Sequence, residues 1–384
     1  MRNVSRLEVW PPLPLNVYTR RQMRRLPFPL EEPNCRIFSR ARQGLFVGIR
    51  TLGLEPGDEI LVPAYHHGSE IEALVRAGIV CRFYDIGHRL EPDEKNLKAL
   101  LGPRVRALFI IHYLGLPQEA ARWRVWCDEH DLLLIEDAAQ AWLSSRGGTP
   151  VGSHGDLSIY CLYKTFGLPD GAAIISNSPP APPHSTHQTG IARVARRHSS
   201  YLEQKWAWLA ELRRRLRGHR HATEDDSEQV FALGDPRQAP DATMSFLLRR
   251  VAHPAAQAAR ATNYAFLLEQ LERFVPQPFA HLPEGASPFA FPIQSDKKEK
   301  LLDDLARHGI VAFANLWSVP HPCLPAADFP RSAALRNGTI GLPVHQELSL
   351  RDLQRIVDAV LGNRGPMHGP KHSPPDSKPK QSNS

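Results

Sequence analysis

Two side chains in this sequence of 384 residues could do chemistry together. Asp137 stands at the carboxyl end of an apolar run, 132–135, within Ile135-Glu136-Asp137-Ala138-Ala139-Gln140. A carboxylate there can hold a protonated ring nitrogen, the partner that makes a pyridine ring an electron sink. Taken alone, Asp137 reads more readily as the N-cap of a helix. Lys164 follows the next apolar run and precedes Thr165-Phe166-Gly167-Leu168-Pro169-Asp170-Gly171. A lysine in apolar surroundings tends toward a lowered pKa, and its neutral amine attacks carbonyl groups. Taken alone, it reads as a surface lysine at a strand end. The pair is more specific. An Asp after one strand and a Lys after the next, 27 residues on, suit one ligand lying across neighbouring strand ends.

The elements that must position this pair follow from periodicity and punctuation. Residues 1–34 are proline-rich and read as an arm lying on the fold. A helix through Leu45, Ile49 and Leu52 should stop at Gly53, and one over 70–77 at Gly78. Strands are expected at 60–62, 80–83, 107–111, 132–135, 157–161 and 172–176, with a helical segment before 107 and another before 132. Such alternation implies an α/β fold with a mostly parallel central sheet covered on both faces. A loop at 177–190, a basic helix, a polar segment at 222–241 and helices over 243–252 and 255–274 follow. A second αβ unit should run from Phe289 to Gly362. Its first helix passes through Leu301, Leu302 and Leu305 to a stop at Gly309. Its last starts at Ser349, with Asp352 three residues on as a loose capping box. The domains are therefore an arm (1–34), a large α/β domain (35–255), a smaller C-terminal αβ domain (256–362) and a disordered tail (363–384).

Bulk properties narrow the function classes. The hydrophobic fraction of 42% is that of a soluble globular protein. No apolar run approaches the roughly 20 residues of a membrane helix. Prolines 11, 12 and 14 break up the N-terminal apolar segment, so no signal peptide is read there and a cytoplasmic location is expected. The five cysteines are widely spaced, without a C-x-x-C pair, which points to reduced thiols and to neither a disulfide framework nor a zinc site. His66-His67 has no acidic partner at ligand spacing, and no metal is expected. The net charge of +7 gathers in the arm, over 193–220 and in the tail. For the middle stretch, Trp206, Leu209, Leu212 and Leu216 recur at helical spacing, so the arginines between them read as a solvated face and not as a nucleic-acid site.

Between about Ser39 and Gly362 an ordered set of segments resembles a known family. They are Gly57-Asp58-Glu59-Ile60-Leu61-Val62-Pro63-Ala64-Tyr65, Ala77-Gly78 before a strand, His112-Tyr113-Leu114-Gly115, Glu136-Asp137-Ala138-Ala139-Gln140, Gly155-Asp156, Lys164, Asp170-Gly171 and Gly341-Leu342-Pro343-Val344-His345. The chain resembles the DegT/StrS-type sugar aminotransferases, fold-type I enzymes that use pyridoxal 5'-phosphate (PLP). The resemblance implies a PLP-dependent transferase fold, a homodimer, and transfer of an amino group from an amino acid to a carbonyl acceptor such as a nucleotide-linked keto sugar. It makes Lys164 the Schiff-base lysine and Asp137 the pyridinium partner. Gln140 falls beside the ring, and His67 takes the place of an aromatic residue stacked on it; a plain loop histidine is the alternative there. Trp317 and His321 fall in a stretch that borders the substrate in the family, or else pack.

Departures from the family concentrate at the phosphate. Many relatives read Ser-Gly-Thr where this chain has Arg40-Ala41-Arg42, and a serine near the lysine is replaced by Cys161. The spacing from Asp156 to Lys164 is short, Ala172 stands where glycine is usual, and Asp241-Ala242-Thr243-Met244 replaces a segment that reaches the partner's site. Ala41, Arg42 and Cys161 therefore stand as the expected phosphate-side residues. Arg42 is expected to bind the phosphate with its forked donors, and Arg40, ahead of the helix, to matter much less. Two other classes compete. A lyase or dehydratase on the same scaffold is disfavoured by Lys164, which dehydrating members replace. A non-catalytic binding homologue is favoured by the altered phosphate segment and disfavoured by the Asp137–Lys164 pair.

Overall fold

In the computed structural model, the described residues are 5–184, 190–217, 231–314, 316–317, 320–325 and 329–362. The expected tail at 363–384, the first part of the polar segment at 222–241 and the end of the basic stretch, with the side chain of Leu216, lie outside them.

A short strand in the arm, β1 (Leu7–Glu8), precedes β2 (Cys35–Phe38), β3 (Glu59–Pro63), β4 (Val80–Tyr84), β5 (Val105–Ile111) and β6 (Leu133–Asp137). A small hairpin, β7 (Ser145–Arg146) and β8 (Thr149–Pro150), leads to β9 (Leu157–Cys161) and β10 (Ala172–Ser176). Seven of these strands form one sheet in the order β2-β10-β9-β6-β5-β3-β4. Strands β4, β3, β5, β6 and β9 run parallel, and β10 runs antiparallel to both β9 and β2. The fold is α/β with a mostly parallel sheet. Strand β2 escapes the sequence reading because its four residues, Cys-Arg-Ile-Phe, are too few to show a period against the proline-rich arm.

The direction of the strands gathers the chemistry. The carboxyl ends of β2, β3, β5, β6 and β9 point one way, and antiparallel β10 begins at that same edge. Residues 39–40, 64–67, 112, 137, 161–164 and 170–171 therefore meet along one rim, where α/β sheets bind ligands. Helix α1 (Ala41–Thr51) lies close on β9 and β10. A Cβ at Gly44 would come within 2.6 Å of Ile174 Cγ2, and one at Gly48 within 2.7 Å of Leu157 Cδ1. These two glycines let the helix approach, and so set where its N-terminus meets the rim. Helix α2 (Ser69–Arg76) packs beside it, while α3 (Glu94–Leu100) and α4 (Ala120–Glu129) precede β5 and β6 as expected.

Beyond α5 (Leu162–Thr165), the basic stretch forms two helices, α6 (Gly190–Lys205) and α7 (Ala207–Arg217). The expected solvated arginine face is only part of the result. Arg193 and Arg197 are half-buried against the rim, whereas Trp206 and Leu212, read as the apolar face, are each 49% exposed. The arm decides this. It runs along α6, with Leu13 N–H donating to the Arg197 carbonyl (3.3 Å) and Arg6 N–H to the Glu203 carbonyl (3.0 Å).

After α8 (Ala242–Val251) and α9 (Ala255–Leu271), a second hydrophobic cluster forms around Tyr264, Phe291, Leu305, Leu342 and Ile356. It contains β11 (Phe291–Gln294), α10 (Lys298–Arg307), β12 (Ile310–Val311), β13 (Thr339–Leu342) and α12 (Leu350–Leu361), while α11 (Pro330–Gly338) sends Leu335 into the core of the large sheet. Strand β1 of the arm pairs with β12. Ser349 caps α12 as read: its Oγ accepts from Asp352 N–H at 3.3 Å, and Asp352 Oδ2 accepts from Ser349 N–H at 3.0 Å.

A buried arginine joins this unit to the rim. Arg260 of α9, 1% exposed, donates to the carbonyls of Thr165 (2.7 Å) and Pro288 (2.8 Å) and to Gln346 Oε1 (2.8 Å). Burial pulls its guanidinium down to about 9. Arg260→Met keeps the length but strands these acceptors, and should cost about 2–4 kcal/mol in urea unfolding. A loss below about 0.5 kcal/mol would show that the bridge is dispensable.

Candidate active site

Asp137 ends β6, and no helix follows it; a turn does. The helix N-cap alternative therefore falls. Asp137 Oδ1 accepts the Ala139 N–H at 2.8 Å, and among the described residues no hydrogen bond reaches its second oxygen. Burial, then the nearby charge of Glu70, pushes its carboxyl up to about 7. A buried carboxylate with a spare oxygen and a strained charge fits a cationic N–H donor.

Lys164 sits in the one-turn helix α5, directly after β9. Among the described residues its ammonium takes part in no hydrogen bond. Its Nζ lies 5.9 Å from the centroid of the Phe289 ring. The expected lowering of its pKa is reversed. Burial does push it down, but the thiol of Cys161, the phenol of Tyr163 and the carboxylates of Asp137 and Glu70 outweigh burial and hold it above the ordinary value. Apolar flanks in the sequence gave no sign of two carboxylates arriving from other strands.

The remaining predicted residues take different places. Gln140 is buried, and its Oε1 accepts the Leu114 N–H at 3.0 Å. His67 is exposed at the rim; its Nδ1 lies 3.1 Å from Ser69 Oγ, and its N–H donates to Glu70 Oε1 at 2.9 Å. Cys161 is buried, with its sulfur 3.9 Å from the Tyr163 hydroxyl. Ala41 opens α1. Arg42, second in that helix, is half-buried and engaged by neighbours. The arginine whose charge falls on Cys161 and Tyr163 is Arg40. Its N–H is taken by Gln43 Oε1 at 3.0 Å, and its guanidinium carbon lies 5.3 Å from the Tyr163 ring centroid. Placing it ahead of the helix did not keep it out of the site, because the N-cap is the residue nearest the rim.

Several groups here were not singled out from the sequence. Glu70 lies buried at the start of α2 and influences both Asp137 and Lys164. Tyr163 neighbours Lys164 in sequence, the one signal that could have marked it. Trp10, from the arm, packs against Tyr163 with ring centroids 6.1 Å apart and against Phe289 at 5.6 Å; nothing local announces this. Behind the rim, the buried His112 has Nε2 2.9 Å from Glu136 Oε2, and its Nδ1 accepts the Gln118 N–H, so both ring nitrogens are committed to scaffolding. Trp317 packs edge-on against Tyr65 with centroids 4.4 Å apart. His321 is buried between Glu72 (2.9 Å) and Cys323 (2.9 Å).

Residues 30–204, which contain β2 through α6 and both Asp137 and Lys164, match the DegT/DnrJ/EryC1/StrS aminotransferase family. Over those residues the chain is similar to that family. It is 31% identical over 137 residues to GDP-perosamine synthase of Vibrio cholerae, spanning 35% of this chain and 37% of that one. It is 25% identical over 337 residues to dTDP-4-dehydro-2,3,6-trideoxy-D-glucose 4-aminotransferase of Saccharopolyspora spinosa, spanning 82% and 80%. The sugar aminotransferase CalS13 of Micromonospora echinospora shares the fold, with a TM-score of 0.64 over 92% of this chain and 99% of that one at 17% identity.

Proposed function

We propose that this protein is a PLP-dependent aminotransferase that moves an amino group from an amino acid to the carbonyl of a keto sugar, carried on a nucleotide. One observation bears most of the weight. Asp137 and Lys164 stand at adjacent strand ends, neither with its full set of partners, each under the other's charge. The two relatives named above act, by their names, in the making of nucleotide-linked amino sugars, which supports the acceptor class.

The residues present fit the cofactor. When bound, PLP supplies an aldehyde for an amine and a ring that withdraws electrons. Asp137 would hold the proton on the ring nitrogen with its spare oxygen. Gln140, fixed by the Leu114 amide, would line the ring. Lys164 Nζ would carry the covalent link and, once released, accept and return a proton. A cation at Asp137 also cancels part of the charge that keeps Lys164 protonated, so seating the ring helps to free the amine. Phe289, Trp10 and Tyr163 keep water from that amine. The reading includes a homodimer in the cytoplasm. Ile191 (82% exposed), Trp206, Trp208 and Leu212 give α6 and α7 an apolar surface for a second copy. No described helix is long and apolar enough to cross a membrane.

The test is a visible absorption spectrum of protein loaded with PLP, before and after glutamate, followed by mass spectrometry with a nucleotide-linked keto sugar. A band that shifts with glutamate, and an amino sugar product, are expected. Protein that stays colourless with PLP would end the reading.

A further inference from the structure

Three guanidinium groups converge on Tyr163, on the Cys161 side of Lys164. Arg40, at the N-cap of α1, stacks over the phenol ring, its guanidinium carbon 5.3 Å from the centroid. Arg193 of α6 reaches the same corner. Its Nη1 is buried without a hydrogen-bond partner, and the nearest carboxylate, Asp170 Oδ2, is 3.6 Å away, too far for a good bond. Arg197, one turn further along α6, lies over the Trp10 ring at 5.5 Å.

Tyr163 and Asp170 hold Arg40 charged despite its burial, but Arg193 and Arg197 are under-compensated. Asp170 is already committed to the Ser39 hydroxyl (2.9 Å) and the Asp241 N–H (3.2 Å). Glu8, the acid near Arg197, pairs with Arg6 at 2.8 Å. Among the described residues, neither Arg40 nor Arg197 makes an ion pair with a carboxylate. Burial first, and Arg40 as a like charge among the further causes, weaken the hold of Arg193 and Arg197 on their protons. Converged, half-buried cations of this kind are costly unless an anion joins them. The N-terminal end of α1, where the helix dipole favours negative charge, opens at Ala41 directly after Arg40. No hydroxyl stands at positions 40–42 or at 161 to do this work.

We propose that Arg40, Arg193 and Arg197 form the seat of a phosphate ester beside Lys164. The seat rests on the cofactor reading above. Its anion is either the monoester of PLP or the diphosphate of a nucleotide-linked substrate, since guanidinium forks suit both.

Two titrations separate these sources. Wild type, Arg40→Ala, Arg40→Lys and Arg193→Gln are each titrated with PLP and with pyridoxal, which lacks the phosphate, following the visible band. Each is also titrated with dTDP by calorimetry. A cofactor seat predicts that Arg40→Ala raises the PLP dissociation constant roughly ten- to a hundredfold, that Arg193→Gln raises it less, that Arg40→Lys recovers part, and that pyridoxal binding is unchanged. A substrate seat predicts unchanged PLP affinity and dTDP binding weakened by a similar factor. Circular dichroism melting confirms that each variant is folded. If PLP and dTDP both bind folded Arg40→Ala and Arg193→Gln as they bind wild type, the seat is overturned. If wild type forms no band with either PLP or pyridoxal, the cofactor reading fails instead.

Discussion

Lys164→Ala should abolish amino transfer, lowering turnover by roughly four or more powers of ten, while the protein stays folded. The loss is that large because no other amine among the groups that surround Asp137 can take over: they are carboxylates, phenols and a thiol. The fold should hold because Lys164 donates no hydrogen bond among the described residues. Its neighbours outweigh burial and hold the ammonium charged, so alanine also removes that attraction, and a modest fall in melting temperature is expected. Single-turnover kinetics with glutamate, read at the visible band, check the first part, and thermal melting checks the second. Turnover within tenfold of wild type would remove Lys164 from the chemistry.

Asp137→Asn should separate function from stability. With the ring nitrogen deprived of its anionic partner, PLP should bind about 1.5–3 kcal/mol more weakly, and turnover should fall with it. The protein without cofactor should do the opposite. Asp137 is pushed from its ordinary 3.8 up to about 7 in the folded state. The folded chain therefore holds a proton that the unfolded chain has lost, between about pH 4 and 7. That contribution is full below the unfolded value and disappears as pH rises through the folded one. An amide cannot ionise and escapes the loss. At pH 8, cofactor-free Asp137→Asn should be more stable than wild type by about 1–3 kcal/mol, and the advantage should vanish near pH 4. Urea unfolding of both proteins at the two pH values decides this. Equal stability at pH 8 would mean that Asp137 is not strained, and equal PLP affinity would mean that it does not face the ring.

Much of the fold was legible in local chemistry. Gly53, Gly78 and Gly309 all adopt positive φ (79°, 90° and 74°) at the ends of their helices, as their positions predicted. The runs at 157–161 and 172–176 became strands with those same bounds, because buried central strands are written as largely apolar segments. Strand direction is not written locally. Nothing in Ala-Ala-Ile-Ile-Ser says that β10 runs against its neighbours. It does so because only the short helix α5 and a turn through Gly171 (φ 109°) separate it from β9, too little chain for a parallel crossover.

The site divides along the same line. Sequence alone determined the likeness to the family, the α/β class and the pair of residues proposed for its centre, since each rests on neighbours in the chain: an apolar strand, then a carboxylate or an amine at its end. Tertiary structure decided the electrostatics. Glu70 comes from the start of α2 to act on Lys164, while Arg193 and Arg197 from α6 and Trp10 from the arm reach the neighbouring Tyr163, and they meet only when the sheet is closed and the arm is laid along α6. A pKa is set by every charge within a few ångströms, and most of those are distant in sequence. For that reason the lysine could be singled out from its own segment, while its elevated pKa, and the arginine over the neighbouring Tyr163, could not.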